Sequence, residues 1–170
     1  MLAFNPSVTA RHVARSRAAH QLWDSPLVLE DPVALQLIAL SERAALLRGG
    51  LEKHSRLSRS LRSFLVARSR FAEDQLAQSL GRGVRQYVVL GAGMDTFAYR
   101  NPHADVGLRV WEVDHLATQA YKRAQLAAAG IAEPDSVTYV PVDFRRDTLA
   151  VQLQHHGEGL GHPGFGEHRG

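Results

Sequence analysis

Gly91-Ala92-Gly93 follows at once on the apolar run Tyr87-Val88-Val89-Leu90 and leads into Met94-Asp95-Thr96. Glycines at such a point let backbone N–H groups approach a ligand closely, and a helix starting at Asp95-Thr96 adds a partial positive field. The alternative is a plain tight turn. A dinucleotide fingerprint wants a third glycine where this chain has Thr96, which disfavours a nicotinamide or flavin site. Two acidic residues stand in matching places further on. Asp114 closes the apolar run 108–113, and Asp143 closes the run 137–142. A carboxylate ending the second strand of a parallel sheet can accept both hydroxyls of an adenosine ribose, or it can cap the helix that follows. Asp143 can accept from an adenine amino group while the Phe144 N–H donates to a ring nitrogen; the alternative is a solvated turn residue. Glu112 shares a strand face with Asp114 and is read as supporting the loop or facing water.

Arg68 is the other residue whose placement suggests chemistry. The spacing predicts a helix over 56–80, with Leu57, Leu61, Phe64, Leu65, Phe71, Ala72, Leu76 and Leu80 as its apolar stripe. Arg68 falls on that stripe, four residues after Phe64 and four before Ala72. A charge on a buried face is costly unless paired. Arg68 therefore either snorkels to the surface or grips a carboxylate with both guanidinium prongs. Arg70 lies off the stripe and is read as solvated.

The elements that must hold these residues are legible from period and punctuation. The stretch 7–81 is mostly helical. Asp31-Pro32 starts a helix over 33–47, which Gly49-Gly50 stops. From 84 to 149 strand and helix alternate, with a helix over 115–129 ended by Gly130. Such alternation implies right-handed βαβ units and a parallel sheet. Pro141 cannot donate to a ladder, so the third strand belongs on an edge, as strand order 3-2-1 also requires. A last helix is expected over 147–156. The chain is thus expected to divide into a helical N-terminal region (1–82), a Rossmann-like α/β region (83–156) and a disordered glycine- and histidine-rich tail (157–170).

Composition removes several function classes. The net charge of +3 is spread along the chain without an aromatic-rich basic cluster, so no nucleic acid partner is expected. Cysteine is absent, which excludes disulfides and thiolate catalysis and suits a cytoplasmic protein. No run is long and apolar enough to cross a bilayer. The arginine-rich, acid-poor start (1–20) leads without a break into an apolar-periodic stretch, so it reads as a helix rather than a transit peptide. His155, His156, His162 and His168 lie where no rigid element fixes them, and no metal site is expected. No Ser-His-Asp arrangement or paired-carboxylate motif stands out for hydrolysis.

Taken together, several of these segments resemble the leucine carboxyl methyltransferases and their bacterial relatives. They are Arg68-Ser-Arg-Phe-Ala-Glu-Asp74, Gln86-Tyr-Val-Val-Leu-Gly-Ala-Gly-Met-Asp-Thr-Phe-Ala-Tyr-Arg100, Trp111-Glu-Val-Asp-His115 and Val140-Pro-Val-Asp-Phe144. The stretches 9–20 and Glu30-Asp-Pro-Val-Ala34 resemble the cap of the bacterial branch. The resemblance covers roughly 7–153 and implies a class I methyltransferase fold that binds S-adenosyl-L-methionine, with 1–82 as a helical N-terminal cap and 83–156 as a partial Rossmann-like domain. It implies that Arg68 binds the cofactor carboxylate and that Gly91 and Gly93 approach its amino-acid moiety. Asp114 then binds ribose, Asp143 and Phe144 bind adenine, and Arg17 is a further candidate contact from the cap. The implied reaction is in-line methyl transfer to a carboxylate or hydroxyl of a small molecule or peptide. The family continues with a fourth strand and more, so the chain is expected to be a truncated form with an unpaired edge on strand one. That edge could support self-association, or a remnant that completes its sheet with another chain.

Overall fold

The computed structural model describes residues 8–49 and 51–158. Three strands, β1 (Gln86–Leu90), β2 (Arg109–Asp114) and β3 (Val137–Pro141), form one parallel sheet in the order β1-β2-β3. The expected order 3-2-1 is therefore observed. In the register, Leu90 lies opposite Val113, and Asp114 lies opposite Pro141, the last residue of an edge strand. The next N–H, of Val142, returns to the Asp114 carbonyl at 2.9 Å. β2 is central and buried from Val110 to Val113, whereas β1 is only half-buried and ends on exposed Leu90.

Alternate side chains of the strands point to opposite faces, so the sheet needs two covers. On one face Tyr87, Val89, Val110, Val137 and Tyr139 pack with Leu76, Leu80 and Phe97. On the other face Val88, Trp111, Val113, Val140 and Val142 pack with Leu149 and Leu153. The crossover helix α5 spans Leu116–Ala128, begins where His115 Nδ1 accepts the Ala117 N–H at 3.1 Å, and ends before Gly130 at φ 70°. The final helix spans Leu149–Glu158, two residues beyond its expected end. The rest of the expected tail, 159–170, lies outside the described residues.

The N-terminal half holds α1 (Val8–Trp23), α2 (Leu40–Arg48), α3 (Leu51–His54) and α4 (Arg56–Leu80), which makes the final helix α6. The cap does not have a core to itself. Ala14, Ala18, Ala19, Leu37, Ile38 and Leu46 pack in one cluster with Met94 and Leu126. The helix expected over 33–47 is confined to α2. Asp31 Oδ1 accepts the Ala34 N–H at 3.1 Å, and the chain then makes turns through 32–38 before breaking at extended Ala39. The apolar spacing of Val33, Ala34, Leu37 and Ile38 is thus buried by turns anchored on Asp31.

The apolar stripe read on α4 also needs correction. Its buried residues are Arg62, Leu65, Val66 and Leu76, while Leu57, Leu61, Phe64 and Phe71 are exposed. The inner face turns on Arg62, which donates to Asp24 through Nε (3.2 Å) and Nη2 (2.9 Å), and to Ser58 Oγ (3.1 Å). Its guanidinium lies 5.0 Å from the Trp23 ring centroid. His20 Nε2 accepts the Val28 N–H at 3.2 Å, so its proton sits on Nδ1, which faces the same Asp24 at 2.9 Å. Among the described residues, no helix is long and apolar enough to cross a membrane.

Candidate functional site

The loop 91–96 leaves the C-terminal end of β1 beside the end of β2. Ala92 donates its N–H to the Val113 carbonyl at 3.1 Å, which keeps the chain beside the sheet for one more residue. Gly91 (φ 63°) and Gly93 (φ 53°) both adopt left-handed backbone that other residues rarely take. Space separates their roles. A Cβ on Gly91 would meet no atom within 4 Å, so the backbone there faces open room. A Cβ on Gly93 would stand 3.2 Å from Ala10 Cβ, so α1 sits directly on it.

Asp114 is tied into this loop. Its Oδ2 accepts the Gly93 N–H and its Oδ1 the His115 N–H, both at 2.6 Å. The carboxylate is therefore fixed in direction while each oxygen keeps a free lone pair. Gly91, Gly93 and Asp114 are thus one unit. Asp143 stands just beyond the end of the neighbouring β3. Its Oδ1 accepts the Arg145 N–H at 3.0 Å, and its own N–H donates to Asp147 Oδ2 at 2.7 Å. This is a tight turn that leaves the Phe144 ring exposed.

Two expectations about charge change here. No α-helix starts at Asp95-Thr96: Asp95 Oδ1 accepts the Phe97 N–H at 2.8 Å, and one 3-10 turn (Phe97–Tyr99) follows. The short side chain of Asp95 closes a local turn that competes with helix propagation, so the loop does not itself lead into an α-helix N-terminus. Arg68 lies on the exposed face of α4, with no hydrogen-bond or ion-pair partner among the described residues. The burial argument for its pairing therefore does not apply, although the guanidinium is available to a ligand.

Arg17, the further candidate contact from the cap, is bound by protein acceptors here, and Arg100 joins it, a residue that the motifs did not single out. Arg17, 3% exposed, reaches from α1 into the loop. Its Nη1 donates to Asp95 Oδ2 (2.7 Å), and its Nη2 to Asp31 Oδ2 (2.8 Å) and Thr96 Oγ1 (2.7 Å). Thr96 Oγ1 in turn donates a hydrogen bond to Asp31 Oδ2 at 2.6 Å. Arg100 adds an Nε contact to Thr96 at 3.2 Å and a two-pronged pair with Glu73 of α4. Burial alone would raise the Asp95 carboxyl, but the charges of Arg17 and Lys122 and the Phe97 N–H hold it at about 2. Thr96, which stands where a dinucleotide site wants glycine, thus has a positive role. The signal was in the sequence as Arg17, Asp31 and Asp95-Thr96, but spacings of 14 and 78 residues do not reveal a contact.

Glu112 neither supports the loop directly nor faces water. It is 1% exposed and pairs with Lys122 of α5, itself fully buried. Burial pushes its carboxyl up to about 7 against the pull of Lys122. Among the described residues no cluster of three or more His, Cys, Asp or Glu could hold a metal.

The sequence model described as leucine carboxyl methyltransferase matches residues 10–163. The chain belongs to that family. A relative from Bacillus subtilis (strain 168), named "Putative S-adenosyl-L-methionine-dependent methyltransferase YktD", is 32% identical over 160 residues, covering 82% of this chain and 53% of its own. Proteins given the same name without the suffix come from Saccharopolyspora erythraea and Mycobacterium marinum. They are 33% and 31% identical, over 86% and 85% of this chain and 50% and 49% of their own. The chain spans about half the length of the curated relatives it matches.

The rim of this family member suits an adenosyl ligand on its own chemistry. Open space faces the Gly91 backbone, a carboxylate with free lone pairs lies next to it, and an exposed aromatic ring follows on the neighbouring strand end.

Proposed function

We propose that the chain carries the cofactor-binding part of an S-adenosyl-L-methionine-dependent methyltransferase that acts on a carboxylate or hydroxyl of a small molecule or peptide. The observation that carries this reading is the joined unit of Gly91, Gly93 and Asp114 in a chain of this family. Bound S-adenosyl-L-methionine supplies an electrophilic methyl group. Gly91 offers its backbone to the amino-acid end, and Gly93 holds Asp114 in line. Asp114 accepts the ribose hydroxyls, and Asp143 with the Phe144 N–H takes the adenine edge. Arg68, free on the outer face of α4, supplies a two-pronged donor for the cofactor carboxylate. A carboxylate acceptor is already nucleophilic, so the protein's contribution is orientation and exclusion of water. A cysteine-free chain with this chemistry fits the cytoplasm.

Titration calorimetry on the purified chain tests the cofactor reading. Saturable heat with S-adenosyl-L-methionine is expected, and a folded sample without heat contradicts it. Transfer of a labelled methyl group to carboxylic acids rather than to amines tests the acceptor class.

A second reading rests on β1. Among the described residues β1 pairs only with β2, and its last residue, Leu90, is 56% exposed. Such an edge can add a strand from another chain or self-associate. On this reading the chain is a remnant that binds cofactor or partner without turnover. Sedimentation velocity separates the two: a monomer that transfers methyl groups rejects the remnant.

A further inference from the structure

We infer that Arg17 is a positioning residue for the cofactor cradle: docking of α1, through Arg17, sets the conformation of the loop 91–96. This rests on the cofactor reading above and goes beyond it, because Arg17 acts through the loop and not on the ligand.

Two independent contacts link α1 to the loop. Ala10 lies against Gly93, so α1 limits how far that residue can move. About two helical turns further on, Arg17 grips Asp95 and Thr96 at the other end of the loop, with Asp31 of the cap as a third acceptor. The opposite side of the loop is held by the sheet, through Ala92 to Val113 and Gly93 to Asp114. Gly91, the residue facing open space, lies at the start of this clamped segment. Nothing within 4 Å of its Cβ position would hold it in place from outside. Its geometry follows from what grips 92–96.

The chemistry at Arg17 fits this role. Its two terminal nitrogens serve three acceptors on two chain segments, a spread that suits a planar fork better than the one nitrogen of an ammonium. At 3% exposure the guanidinium is turned inward, with Nη1 and Nη2 engaged by Asp95, Asp31 and Thr96 and only the buried Nε–H left without a partner among the described residues. Thr96 relays the contact by accepting from Arg17 and donating to Asp31. The cap thereby reads out the state of the loop, and the loop the state of the cap.

Arg17→Lys keeps a charge but offers one nitrogen in place of the two that hold Asp95 and the Asp31–Thr96 pair. We expect affinity for S-adenosyl-L-methionine to fall at least tenfold. Amide hydrogen exchange at Ala92, Gly93 and Asp95 should quicken at least tenfold in the absence of ligand, while β2 and β3 amides keep their protection. Asp95→Asn, which removes one acceptor and keeps the shape, should produce a smaller change of the same kind, about threefold. The double variant should be little worse than Arg17→Lys alone, because both act through one contact.

A wild-type chain that binds cofactor, together with an Arg17→Lys variant of equal affinity and loop protection, overturns the inference and leaves the cofactor reading standing. Loss of β2 and β3 protection in both single variants also overturns it, since the contact is then merely structural. A folded wild-type chain without affinity overturns the cofactor reading, and the inference falls with it.

Discussion

The two long faces of α4 reverse the usual placement of residue types. The inner face buries Arg62 at 2% exposure, and the outer face leaves Phe64 and Phe71 at 63% and 65%. The inner charge is affordable because Asp24, Ser58 and the Trp23 ring surround it. The outer stripe, Leu57, Leu61, Phe64 and Phe71, carries Arg68 in the same row, with no partner for that charge among the described residues. The comparison teaches that residue type alone does not say which side of a helix is inside. A buried arginine marks a finished contact, and an exposed aromatic row marks an unfinished one.

The largest effect should come from the inner face. Arg62→Ala leaves Asp24 without its main partner and should cost about 3 kcal/mol, read by urea unfolding. A cost under 1 kcal/mol would mean that Arg62 is not held as described. The acid dependence follows from the same pair. Burial alone would raise the Asp24 carboxyl, but hydrogen bonds from Arg62 and His20 outweigh it and hold it below the ordinary 3.8. A depressed carboxyl stabilises the fold fully above 3.8 and ceases to do so as pH falls through its lower native value. Melting temperature against pH should therefore drop less steeply below pH 4 in Arg62→Ala than in wild type; parallel curves would remove Asp24 from that role.

The outer face should respond differently. Arg68→Ala should leave stability unchanged yet weaken cofactor binding by at least ~1 kcal/mol, about fivefold, as for a charge-assisted hydrogen bond. Equal affinity would return Arg68 to a snorkelling surface residue. Smallest of all, Phe64→Ser should shift stability by less than about 0.5 kcal/mol, the usual range for surface changes. A loss above 2 kcal/mol would show that this face is covered in solution and would erase the contrast.

Much of the fold was legible because it rests on period and punctuation. Strand ends at Leu90 and Asp114, the extent of α4, and the edge position implied by Pro141 all followed from local pattern. The glycine unit was legible too, since left-handed turns need those residues. What local pattern could not convey was pairing at a distance. Arg62 and Lys122 look like surface residues, and Arg17 like a ligand contact, until Asp24, Glu112, Asp31 and Asp95 are brought beside them. The same blindness produced the helix expected over 33–47 and the helix start expected at Asp95. In both places an aspartate side chain takes a backbone N–H locally and stops the regular structure.

On the proposed reading one rim, from the glycine turn through two strand-end carboxylates, receives the adenosyl ligand. Titrating S-adenosyl-L-methionine into isotope-labelled chain and following backbone amide shifts tests it most directly. The largest saturable shifts should fall on Gly91, Gly93, Asp114, His115, Asp143 and Phe144. Saturable shifts centred elsewhere, such as on the pocket that Leu22, Trp23, Leu46 and Lys53 line in the N-terminal half, would contradict it.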